Sequence, residues 1–112
     1  MLRITRREVE KNFDVVLVDT PASGSFADAQ AMADKVTKEW GQVDILVCNA
    51  GVNKDGMIWK MTEEQFDRVI DVNLKGVFLS MKYELPHIVQ SKGAIVNMAS
   101  VAGLSGGRLG VA

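Results

Sequence analysis

Apolar residues fall into three nearly unbroken runs along this chain, separated by two stretches of helical periodicity. The runs are Asp14-Val15-Val16-Leu17-Val18, Val43-Asp44-Ile45-Leu46-Val47-Cys48, and Gly93-Ala94-Ile95-Val96-Asn97-Met98-Ala99-Ser100. Runs without alternation and rich in β-branched residues are how strands read when both faces are covered, as in a parallel sheet flanked by helices. The first run ends at Asp19-Thr20-Pro21, because proline cannot continue a central ladder. Between the first two runs, Ala29, Met32, Ala33, Val36 and Trp40 recur at helical spacing, with Ser25 as N-cap and Gly41 as the C-terminal glycine.

Between the second and third runs lies a loop, Val52 to Met61, with Asp55-Gly56 as its turn signal. Thr62-Glu63-Glu64-Gln65 then forms a capping box that opens a long helix. Phe66, Val69, Ile70, Leu74, Val77, Phe78, Met81 and Leu85 mark its apolar face. Gly76 weakens its middle, and Pro86 is expected to end or kink it. If that face is buried, Phe78→Ala costs roughly 3–5 kcal/mol while Lys75→Ala is near neutral. The order strand, helix, strand, helix, strand predicts an α/β fold with right-handed crossovers: a partial, Rossmann-like, doubly wound parallel sheet of about three strands in one domain spanning residues 1–112.

Composition narrows the function classes. A length of 112 residues allows one domain, and a 47% hydrophobic content is enough to build a core. A net charge of −1 lacks the basic excess expected of a nucleic-acid or membrane-surface protein. Cys48 is the only cysteine, so no internal disulfide forms. No apolar run approaches membrane-spanning length, and the basic start (Arg3, Arg6, Arg7, Lys11) precedes no signal core, so a soluble cytoplasmic protein is expected. His87 is the lone histidine and is expected on a solvated helix end, leaving metal ligation unsupported.

The candidate chemistry sits where strands end. Ligand crevices in open α/β sheets lie just past the carboxyl ends of the strands. Asn49-Ala50-Gly51 occupies that place after the central run, and Ser100 occupies it after the third. Asn73 falls inside the long helix, where asparagine is a poor helix former, and Asp19 ends the first run. Each has an ordinary alternative: a strand-to-loop turn, a turn serine, an exposed helical asparagine, a strand terminator. No G-x-G-x-x-G or Walker-type loop is present, and Gly103 to Gly110 reads as a glycine-rich loop that opens no helix.

Cys48-Asn49-Ala50-Gly51, Asp71-Val72-Asn73-Leu74-Lys75-Gly76 and Ile95-Val96-Asn97-Met98-Ala99-Ser100-Val101-Ala102-Gly103-Leu104, in that order, resemble the short-chain dehydrogenase/reductase family over about residues 26 to 112. Val52 to Met57 and Met61 to Glu64 are most similar to its 3-oxoacyl-(acyl-carrier-protein) reductase branch. The resemblance implies NAD(P)(H)-dependent interconversion of a small-molecule carbonyl and an alcohol. It implies that Asn49, Ala50 and Gly51 line the cofactor crevice, with Cys48 in place of the asparagine usual there. It further implies that the Asn73 backbone anchors a relay water, that Ser100 hydrogen-bonds the reacting oxygen, and that Asp19 contacts adenine, although Asp19 lies a few residues further from Asn49 than the family pattern has it.

Residues 1–25 match that family poorly, and Phe13 to Pro21 looks as much like a strand of a P-loop ATPase or response regulator, a reading opposed by the missing Walker loop. The family's glycine-rich dinucleotide loop belongs before the second strand, and its tyrosine acid and lysine belong past Ala112. Tyr83, the lone tyrosine, has no lysine four residues on. An incomplete family core is therefore expected, from truncation, frameshift or chimera, and the competing reading is a non-catalytic α/β module. The 112 residues are expected not to reduce a 3-oxoacyl substrate, since general acid catalysis is worth about 10²–10⁴-fold. The resemblance implies homo-oligomers paired through the long helix. With open strand edges this predicts a self-associating chain.

Overall fold

The computed structural model describes residues 25–106. The expected strand at Asp14 to Val18, Asp19, and the tail from Gly107 lie outside the described residues. Within them the order is helix α1 (Phe26–Trp40), strand β1 (Ile45–Cys48), a 3-10 turn (Ile58–Lys60), helix α2 (Glu63–Ile70), a π-helical segment (Asp71–Lys75), helix α3 (Gly76–Ser91), strand β2 (Ala94–Asn97) and a single turn, α4 (Ala102–Ser105). β1 and β2 pair in parallel, Ile45 opposite Ala94 and Cys48 opposite Asn97. The parallel sheet and its flanking helices are therefore present, two strands of it among the described residues.

Local chemistry sets the helix ends. Ser25 Oγ accepts from the Asp28 N–H at 3.4 Å, and Gly41 closes α1 at φ 75, a left-handed conformation that glycine adopts without a Cβ penalty. At α2 both bonds of the capping box form: the Gln65 N–H donates to Thr62 Oγ1 at 3.2 Å, and the Thr62 N–H donates to Gln65 Oε1 at 3.2 Å. Thr62→Ala removes the first and should cost about 1 kcal/mol in a denaturant melt. An unchanged melt would mean the cap is satisfied by water.

The long helix differs from expectation in two ways. Pro86 does not end it; the helix runs on to Ser91. Its core face is only partly the predicted one: Val69 is buried and Val77 and Met81 are half-buried as expected, but the rest of that face is not. Val69, Val72, Leu79, Glu84 and Ile88 are buried, whereas Phe66, Ile70, Leu74, Phe78 and Leu85 are exposed. Along α3 apolar residues lie on more than one side, so two stripes compete. Glu84 and Ser80 interrupt the buried stripe and hide it from a hydrophobic count. Within the helix the Gly76 N–H reaches the Asp71 carbonyl, a π step that inserts an extra residue and turns the following face.

α3 lies against one face of the sheet, where Cys48 is buried and Leu46 and Ile95 are half-buried, and α1 packs on α3. On the other face Ile45, Val47, Val96 and Met98 are exposed. The expectation of two covered faces is thus met on one face among the described residues.

Candidate active site

The parallel register decides what meets at the carboxyl edge. Beyond the last pair, Cys48 with Asn97, the Met98 N–H donates to the Cys48 carbonyl at 3.0 Å, so the two strands leave the sheet side by side. Asn49, Ala50 and Gly51 follow β1 with no regular structure, and Ser100 follows β2 three residues after Asn97. All four are exposed on the same edge. Ser100 is already oriented: its Oγ accepts from the Ala102 N–H at 3.2 Å, and its carbonyl accepts from the Gly103 N–H at 3.0 Å. These bonds nucleate the turn α4 where a plain loop was expected. They leave the Ser100 hydroxyl proton free to donate elsewhere.

Asn73 ties the long helix to this edge. Its Oδ1 accepts from the Val52 N–H at 2.8 Å, and its Nδ2 donates to the Val52 carbonyl at 2.9 Å. One carboxamide satisfies both polar groups of one residue, which fixes the backbone directly after Gly51. The side chain is exposed, as the ordinary reading of a helical asparagine expects, and is also hydrogen-bonded to a residue 21 positions away. A Cβ on Gly51 would lie 3.5 Å from Asn73 Oδ1, in ordinary contact. Asn73 sits inside the π segment, where the altered winding aims a side chain that a regular helix would send elsewhere. Sequence reasoning missed Val52 as its partner, because a backbone partner leaves no mark in side-chain identity.

Cys48 is a buried free thiol whose pKa is pushed up by burial, and it acts as a small apolar filler beneath the edge. Among the described residues no group of three or more metal-ligating side chains converges. No helix there is long and apolar enough to cross a membrane. Asn49 to Gly51 leave the sheet as exposed backbone on the edge that also carries Ser100.

The family model for short chain dehydrogenases matches residues 3–112. The chain belongs to the short-chain dehydrogenase family. Among curated family members it is 43% identical over 76 residues to the 3-oxoacyl-[acyl-carrier-protein] reductase FabG of Thermotoga maritima, covering 67% of this chain and 31% of that protein. It is 41% identical over 80 residues to FabG of Staphylococcus aureus, covering 70% of this chain and 32% of the relative. The chain thus spans about a third of the length of these short-chain dehydrogenases. Among solved structures, ElxO with NADP bound superposes with a TM-score of 0.70 at 34% identity, over 75% of this chain and 35% of that one.

Proposed function

We propose that these residues form the carboxyl-edge part of the site of an NAD(P)(H)-dependent reductase acting on a 3-oxoacyl group. The observation that supports this reading is the parallel register, which sends the segments carrying Asn49-Ala50-Gly51 and Ser100 off the same edge of the sheet. A bound nicotinamide cofactor supplies the hydride. Asn49, Ala50 and Gly51 would hold it through their exposed backbone. The Asn73 clasp on Val52 keeps that backbone from shifting, and on this reading the Asn73 backbone would hold a relay water. The Ser100 hydroxyl donates to the carbonyl oxygen as negative charge develops there, which is electrostatic stabilisation by an oriented donor. Asp19 belongs to the same reading as an adenine contact. The exposed stripe Phe66, Ile70, Phe78 and Leu85 supports self-association, and the lone cysteine agrees with a cytoplasmic setting.

The test is backbone NMR of the 112-residue chain titrated with NADPH. Shifts confined to Asn49–Val52 and residues 98–102, and lost in a Gly51→Trp variant that still folds, are the expected result. Shifts scattered over α1, or none at all, would sink the reading and favour a non-catalytic α/β module.

A further inference from the structure

Away from the carboxyl edge, one buried ionisable side chain has no part in that chemistry. Glu84 on α3 is 9% exposed, and its Oε2 is buried without a hydrogen-bond partner. On α1, the helix packed against α3, the Thr37 Oγ1 is likewise buried and unpartnered. Thr37 continues the stripe of Ala29 and Ala33, the two buried residues of that helix, at successive four-residue steps. A carboxylate with one oxygen buried there without a donor is costly, whereas the neutral acid is tolerated and carries a donor of its own.

We propose that the seam between α1 and α3 is a proton-sensitive joint: α1 stays docked while Glu84 is neutral and loosens as Glu84 ionises. Burial raises the Glu84 pKa; His87, one turn on, opposes this, and Asp34 on α1 adds to it. The other charged residues of α1 are Asp28, Lys35, Lys38 and Glu39. β1 brings only the Cys48 thiol, β2 brings no titratable group, and Asp71 and Lys75 of the π segment pair with each other at 3.4 Å.

The sign follows from linkage. With its folded pKa above the unfolded one, Glu84 binds more proton in the docked state. Docking carries no penalty below the ordinary carboxylate pKa. It weakens as pH rises from there to the raised folded value, and above that the full penalty applies. The consequence is local: α1 opens while the β1–β2 sheet stays closed.

Hydrogen exchange on the full chain, corrected for intrinsic base catalysis, tests this between about pH 5 and about pH 8. In the native sequence α1 amides should lose protection several-fold relative to β1 and β2 as pH rises. Glu84→Gln keeps the shape without the charge and should flatten that dependence. Asp34→Asn alters an exposed residue and should move the midpoint to lower pH. An unchanged pH profile in Glu84→Gln would overturn the proposal. Should that variant fail to fold, an unmoved midpoint in Asp34→Asn overturns it and a lowered midpoint upholds it.

Discussion

Gly93→Ala should cost about 3 kcal/mol, the upper end of what overpacking a tight site usually costs. Gly93 is the hinge between the long helix and β2. Its N–H donates back to the Ile88 carbonyl at 2.9 Å, closing the helix, and the next N–H, that of Ala94, donates to the Asp44 carbonyl at 2.9 Å, opening the sheet. Lys92 just before it already takes the left-handed conformation at φ 57. A Cβ on Gly93 would lie 2.8 Å from the Asp44 carbonyl carbon and 2.9 Å from Ser91 Oγ, and would overlap the Asp44 carbonyl oxygen. That oxygen is backbone and accepts the first bond of the strand pair, so it has no rotamer into which to retreat. Ser91 is equally tied, its Oγ donating to the Val43 carbonyl at 2.6 Å. Relief therefore requires β2 to move off β1, which also separates Ser100 from Asn49. Gly103→Ala is the control, since a Cβ there meets nothing within 4 Å. A urea melt in which the two variants match would show that the junction is not packed in this way.

The importance of Gly93 illustrates what the sequence left hidden. The sequence reads Gly93 as the first residue of the third strand, but the strand begins at Ala94, and only the bond from the Ala94 N–H to the Asp44 carbonyl shows that two backbones approach closely at Gly93. Features set by neighbouring residues were legible: Ser25, Gly41 and the Thr62–Gln65 box all cap as their spacing predicts, since caps are local hydrogen bonds. The edge holding Asn49, Ala50, Gly51 and Ser100 was legible too, because parallel strands carry their following loops to the same side. Glu84 was not, because a glutamate on a helix ordinarily faces water, and its burial depends on α1 packing against α3. The clasp of Asn73 on Val52 was invisible for a related reason: it joins residues 21 apart through one residue's backbone.

The face of the long helix is where local pattern misled most, and a neighbouring pair of residues measures by how much. Leu79 is 0% exposed while Phe78 is 52% exposed. Leu79→Ala should therefore cost about 2–5 kcal/mol, the transfer energy of the lost methyl groups plus the cavity left behind. Phe78→Ala should cost well under about 1 kcal/mol, as surface changes do, although phenylalanine is the larger side chain. A hydrophobic count favours the opposite order, because the stripe of Phe66, Ile70, Leu74 and Phe78 is bulkier than that of Val69, Val72 and Leu79. Packing against α1 and the sheet buries the narrower stripe, and the bulky one is left toward solvent. Its exposure makes Phe78 the better probe of association: Phe78→Ala should leave the melt at low concentration unchanged and shift the light-scattering mass toward monomer. Equal losses of stability in the two variants at low protein concentration would return the helix to the register its hydrophobic pattern suggests, and would move Glu84 out of the seam with it.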